Sequence, residues 1–343
     1  MSGAIGYYVH HHGQGHRQRA MAIAAHAPNR FTLIGTGLAD LPEPFRRIDL
    51  ADDRLTKDNT FEGFDGGAER PDALHYAPIA HDGVRARNLA MVEWIAREKP
   101  AAIVVDVSVE TAMLARLCAT PTIYVRLAGH RNDPAHLDAF RGARALLSPF
   151  HADLDDPEMA DWILAKTRYA PGLTGPGAAP RPCDRVVLVV VGAGGSVIDG
   201  ERLAAAARST PDLRWRVIGS VKPAPVVPDN LKMLGWVSDA DREIAQAGVV
   251  IGAAGDGVLG AVAAAARPFV CLPEPRPYGE QVAKGRRLRA LDAAVVLDKW
   301  PEAADWPEVL ERARRLDRQR IYALHDSQGT EKAAAFLLEV AGR

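Results

Sequence analysis

Short runs of valine, isoleucine and leucine recur along this chain. Each leads into a glycine-rich or polar turn and then into an alanine-rich stretch. In the first half the runs are AIGYYVH, RFTLIGTG, AAIVVDVS and TIYVRLA, with ARALLSPF as a further candidate. Their apolar residues are consecutive rather than alternating, which is the pattern of parallel strands covered on both faces. Between them RQRAMAIAAHA, RARNLAMVEWIAREK and VETAMLARLCA place apolar residues at helical spacing. The pattern lapses from Asp52 to His81, a stretch rich in Asp, Gly and Pro that reads as a long loop near a functional edge.

A second break, YAPGLTGPGAAPRPCD, has linker composition and no period. The alternation then restarts. RVVLVVVGAGG, RWRVIGS, NLKMLGWVS, VVIGAAG, PFVCLPEP and AVVLD read as strands, and DGERLAAAARST, DADREIAQAG, DGVLGAVAAAAR and GEQVAKGRRLRALDA as helices, with GTEKAAAFLLEVAGR closing the chain as another. The expected fold is α/β, two Rossmann-like doubly wound domains facing a cleft. Residues 1–170 form the first, 171–184 the linker, 185–325 the second, and 326–343 a C-terminal helix. Ligands of such sheets bind beyond the carboxyl ends of the strands, so the cleft is the expected site.

Composition narrows the chemistry. A length of 343 residues suits two domains, and 25% charged residues with a net charge of −1 give no broad field for nucleic acid or an anionic membrane. Phosphate binding must then come from local geometry. The three cysteines, Cys118, Cys183 and Cys271, are far apart and lack metal spacing, which points to a reducing compartment, the cytoplasm. There is no basic-then-apolar leader, no apolar run of the ~20 residues a membrane span needs, and no strong basic amphipathic helix to support peripheral membrane contact.

Four loops can carry chemistry. In the first, HHHGQGH, the histidines lack the spacing of a metal site and no cysteine or acid cluster is near, so no metal is expected. His16 instead begins a helix after the turn of Gly13 and Gly15, where its imidazole can act as a base. Such a base needs an acceptor on its other nitrogen, and Asp106, at the end of AIVVD, is where a neighbouring strand would deliver one. The second loop, with Gly194, Gly195 and Ser196, follows a strand and precedes a helix, and fits a phosphate cradle or a plain turn. The third offers the amides of Gly255, Asp256, Gly257 and Val258. Asp256 would repel a diphosphate and fits a helix cap. In the fourth, Glu280 and Gln281 suit the paired hydroxyls of a sugar and equally suit an ordinary first helical turn.

In this order the pieces resemble the GT-B glycosyltransferases. The likeness is to the inverting, nucleotide-sugar-dependent branch that includes the peptidoglycan lipid-intermediate N-acetylglucosaminyltransferase and the plant and antibiotic glucosyltransferases. HHGQGHRQRAMAIA resembles the family's first glycine loop, and VVDVSVETAMLARLCATPTIYV the stretch whose Asp orients the catalytic histidine. The span from NLKMLGWVS to DAAVVL resembles the donor-binding region. The resemblance implies base recognition at Trp236 and Val237, diphosphate binding at the glycine turn, sugar contacts from Glu280 and Gln281, and a last helix crossing back to the first domain. It also implies a nucleotide diphosphate sugar, UDP-linked, as donor substrate, with no tightly bound cofactor. Two positions depart from the family. Ala261 stands where many relatives carry a ribose-binding Glu, and the turn reads GDGV where many carry Ser or Thr. The expected function is inverting transfer to an unidentified acceptor hydroxyl, whose side of the cleft the 52–81 loop and residues 126–144 would line. A nucleotide-sugar hydrolase or 2-epimerase, or a non-catalytic nucleotide-sugar binding protein, are the alternatives.

Overall fold

The computed structural model describes residues 3–11, 14–55, 61–173, 182–192 and 198–342. The first domain runs β1 (Ile5–Tyr8), α1 (Gln14–Ala24), β2 (Phe31–Gly35), β3 (Arg46–Asp49), α2 (Asp82–Glu98), β4 (Ala102–Asp106), α3 (Val109–Leu117), β5 (Thr122–Val125), α4 (Pro134–Gly142), β6 (Ala145–Ser148), α5 (Asp161–Leu164) and β7 (Thr167–Tyr169). The second runs β8 (Cys183–Val190), α6 (Gly200–Ser209), β9 (Arg214–Ile218), β10 (Leu231–Gly235), α7 (Ala240–Gln246), β11 (Ala247–Gly252), α8 (Asp256–Ala264), β12 (Phe269–Cys271), α9 (Glu280–Ala290) and β13 (Val295–Val296). Helices α10 (Trp306–Arg315), α11 (Arg318–Tyr322) and α12 (Gly329–Gly342) complete it. Cys183 and Asp184, expected in the linker, begin β8 instead.

The strand order is β3-β2-β1-β4-β5-β6-β7 in one sheet and β10-β9-β8-β11-β12-β13 in the other, and the pairings are parallel throughout. Strands β1, β2, β4, β5 and β6 are buried along their whole length, as their unbroken apolar runs require. In each sheet the chain winds outward one way, returns to the middle and winds out the other way. The reversal lies between β1 and β4 in the first sheet and between β8 and β11 in the second, the crevices where doubly wound sheets bind ligands.

Two features join the halves. Ala128, Phe150 and Leu154 of the first domain share a buried cluster with Leu259, Val262, Leu288 and Leu324. Helix α12 packs against α1, its Ala333, Leu337 and Val340 entering the core of the first sheet. Thr330 Oγ1 meets His26 at 2.9 Å, and Arg144 donates to the carbonyl of Val340 at 3.1 Å. No helix among the described residues is long and apolar enough to cross a membrane.

Candidate active site

The loops after β1 and β4 leave the first sheet at its switch point, side by side. That register sets His16, in the first turn of α1, against Asp106, the last residue of β4. Nδ1 of His16 lies 2.9 Å from Oδ1 of Asp106. Asp106 is fully buried, and the imidazole is nearly so. Arg19 lies one turn further along α1 on the same face, and its Nη2 donates to both oxygens of Asp106 at 2.9 Å, with Nε reaching Oδ2 at 3.2 Å. Burial alone would push the Asp106 carboxyl up, but Arg19 and His16 hold it well below the usual carboxylate range.

Arg19 Nη2 also stands 2.8 Å from Nδ1 of His16. Nδ1 can donate its proton to the carboxylate or accept from the guanidinium, but not both. With the proton on Nδ1 it makes a charge-assisted bond to Asp106; the other tautomer sets two acceptors 2.9 Å apart. The first gains the charge-assisted bond and requires the Arg19 N–H, 2.8 Å from Nδ1, to turn to the carboxylate that Arg19 already serves. It leaves the lone pair on Nε2, the nitrogen not engaged by Asp106.

The second sheet's switch point faces this pair. Helix α8 starts there with Gly255 as its N-cap, and no side chain caps it. The cap expected of Asp256 is therefore corrected. Its carboxylate turns away from the first-turn amides to Lys284 of α9, which hydrogen-bonds Oδ1, while Oδ2 faces Nη1 of Arg19 at 3.8 Å across the cleft. The reason is electrostatic: Lys284 is fully buried, and an ammonium without water needs a counter-ion more than the amides need a cap. Burial tends to raise the Asp256 carboxyl, and Lys284 and Arg19 overcome it, keeping it low.

Gln281 is buried beside the turn. Its Oε1 accepts from the Glu274 amide at 2.9 Å, and Nε2 lies 3.8 Å from where a Cβ on Gly255 would stand. Glu280 accepts from Arg131 of the first domain at 3.4 Å. Val258 packs on the second domain's core, Gly15 and Gly257 border open space, and Trp236 is mostly exposed after β10 with Val237 half-buried behind it. So His16, Asp106, Gly255, Asp256, Glu280 and Gln281 gather around one cleft. Trp236 and Val237 lie at the same carboxyl edge of the second sheet, two strands out from its centre. Gly13, Gly194, Gly195 and Ser196 lie outside the described residues.

Arg19, Lys284 and Arg131 were missed by the sequence reading. Arg19 is three residues after His16 and Lys284 three after Gln281, the helical spacing that would have put each on the same face as its neighbour. Arg131 carried no such signal, because it lies outside a helix and the carboxylate it reaches, Glu280, comes from the second domain.

On the first-domain side a cavity of about 480 Å³ is lined by Arg70, His75, His130, Asn132, Asp133 and Tyr278, among others. Behind it Asp133 caps α4, meets His75 Nε2 at 2.7 Å and His136 Nδ1 at 2.6 Å. These three residues bring their ligand atoms within 4.8 Å of one another. They fit a hydrogen-bonded chain better than a cation site, since Arg131 Nη1 sits 3.0 Å from His136 Nε2 and fixes the proton on Nδ1, where a metal would have to bind. Burial, the largest influence on His136, pulls its pKa down to about 4.

No family model matches the sequence. No curated protein matches it either. Solved structures do. MurG of Acinetobacter baumannii is 14% identical, with 99% of this chain and 100% of that one aligned and a TM-score of 0.65. CalG4, the calicheamicin glycosyltransferase, is 18% identical over 100% of this chain and 99% of that one, with a TM-score of 0.68. A UDP-glucosyltransferase from Polygonum tinctorium capable of glucosylating indoxyl is 13% identical over 99% of both chains, with a TM-score of 0.66. This chain has the GT-B fold of those glycosyltransferases.

Proposed function

We propose that this protein is an inverting glycosyltransferase that moves a sugar from a nucleoside diphosphate sugar, UDP-linked, to an acceptor hydroxyl. The observation that carries the reading is the His16–Asp106 pair, 2.9 Å apart at one switch point and facing the start of α8 at the other. The fold shared with nucleotide-sugar enzymes supports it, and the Polygonum enzyme's use of a UDP sugar supports the uracil base.

In this reaction Nε2 of His16 takes the proton of the acceptor hydroxyl as its oxygen attacks the anomeric carbon. The new carbon–oxygen bond forms on the face opposite the departing diphosphate, so the configuration inverts. Asp106 keeps the imidazole in the Nδ1–H tautomer and offsets the charge of the imidazolium. Amides at the start of α8 meet the charge growing on the diphosphate. Glu280 and Gln281 hold the sugar hydroxyls, with Arg131 fixing the Glu280 carboxylate. Trp236 and Val237 flank the base, and the 480 Å³ cavity takes the acceptor.

General-base help is worth roughly 10²–10⁴ in rate. His16→Ala should lose about that factor in kcat while the affinity for the nucleoside diphosphate, measured by calorimetry, stays within about twofold. A variant with intact turnover sinks the assignment. Sugar release without any acceptor, at the rate seen with one, would replace transfer by hydrolysis.

A further inference from the structure

The pairing of Asp256 with Lys284 is costly as a piece of scaffolding. Taking an ammonium wholly out of water is repaid only by a close counter-charge, and an apolar residue of the same size would cost less. Lys284 lies behind the turn with no exposed surface, whereas the Asp256 side chain is 23% exposed and opens to the cleft. A ligand entering from the cleft therefore meets the carboxylate first. Lys284 has three N–H donors, and one oxygen of Asp256 is its hydrogen-bond partner among the described residues. The other oxygen is held only loosely by Arg19, at 3.8 Å. Two cations from opposite domains thus flank one carboxylate; Arg19 is held by Asp106 through Nε and Nη2 and has Nη1 turned to the cleft, so Lys284 is the cation that, among the described residues, Asp256 alone balances.

We propose that Asp256 is an internal placeholder for the donor's diphosphate: it keeps Lys284 aimed at the point that Nη1 of Arg19 also faces, and the incoming diphosphate displaces it, pairing with Lys284 and with Nη1 of Arg19 while Asp106 keeps the rest of that guanidinium. Lys284 is then the side chain that neutralises the leaving group as the glycosidic bond breaks. The inference rests on the reading of this cleft as a nucleoside diphosphate sugar site, and it makes donor binding a contest between two anions.

The contest gives a signature that a structural ion pair lacks. Breaking a structural pair by Asp256→Asn loosens the turn and weakens binding. Removing a competitor strengthens it. Titration calorimetry of the full-length protein with UDP, and with ADP, GDP and dTDP as alternatives, should show Asp256→Asn binding its preferred diphosphate about tenfold or more tighter than the parent. Lys284→Met should bind it at least about tenfold more weakly and lose kcat, with the acceptor KM unchanged, and Lys284→Arg should recover part of both. If Lys284→Met does not fold, as judged by its thermal transition, Asp256→Asn and Lys284→Arg carry the test alone. A parent that binds a diphosphate and turns over, with Asp256→Asn binding no tighter, overturns the placeholder and leaves the proposed reaction standing. A diphosphate that binds Asp256→Asn but not the parent supports the placeholder. No binding to either protein, and no turnover of any nucleotide sugar, removes both.

Discussion

At the scale of single residues, the cleft holds titratable groups in states they would not keep in water. His136 is the clearest. Its pKa falls from the ordinary 6.5 to about 4, chiefly through burial, with Arg131 opposing its charge as well. A histidine whose folded pKa lies below its unfolded value binds fewer protons in the native state, so stability is full above about 6.5 and is lost as the pH falls toward 4. The melting temperature should therefore drop across that window. His136→Asn keeps a donor toward Asp133 and removes the titration, so its drop should be shallower over pH 6.5 to 4. Parallel curves for the two proteins would show that acid sensitivity comes from elsewhere. The residues of the cleft mark how far the sequence could be read. His16 and Asp106 were legible because each ends or follows a strand that the hydrophobic pattern placed in the middle of a sheet. Helical spacing puts Lys284 on the same face as Gln281, but what makes it and Arg131 unusual is burial against a carboxylate from a distant segment, Asp256 and Glu280, and no periodicity reports that.

The same division runs through the elements. Strands buried on both faces announced themselves as unbroken apolar runs. The edge strand β3, Arg-Arg-Ile-Asp, is exposed along most of its length and carries no such run, so the hydrophobic pattern left it unassigned. Helix α4 was hidden for another reason: it sits inside a stretch of charged and histidine residues, and its start depends on Asp133 as cap and Pro134 at the first position. Helix α12 shows an element whose place is set by packing and not by propensity. Leu337 is fully buried in the first domain's core although it lies at the end of the chain. Leu337→Ala should cost about 2–5 kcal/mol, the range for truncating a buried leucine. Urea unfolding followed by circular dichroism would measure it. A loss under ~0.5 kcal/mol would mean that α12 rides on the surface and does not tie the two halves together.

For the whole molecule, the arrangement that matters is how closely the two sheets' switch points approach. One contact is especially tight. Gly129, after β5, has φ of +94° and accepts the second domain's Tyr278 turn so closely that a Cβ there would stand 2.4 Å from the Tyr278 carbonyl oxygen and 2.8 Å from Cα of Glu280. Beside it the His130 amide donates to that carbonyl at 2.8 Å, and Arg131 stacks on the Tyr278 ring at 4.6 Å while reaching Glu280. Tyr278 itself has φ of +59°, a strained value for a residue with a side chain, held by these neighbours. A branched side chain at Gly129 cannot be accommodated by moving a flexible tip, since the atoms it meets are backbone. It acts as a wedge between the domains. Gly129→Val should open the cleft, seen as a larger radius of gyration by small-angle X-ray scattering. Transfer should fall by at least about tenfold, because orientation of the acceptor against the donor is lost. UDP binding should weaken only in part, because the α8 turn, Gln281 and Lys284 belong to the second domain and, among the described residues, Arg19 alone reaches the diphosphate from the first. The positive φ adds strain of order 1–2 kcal/mol within the first domain, so the melting temperature must be recorded alongside, to separate a wedge from partial unfolding. An unchanged radius with unchanged turnover would mean that the domains do not meet through Gly129 during catalysis. A lost UDP site would mean that the first domain builds more of the donor pocket than Arg19.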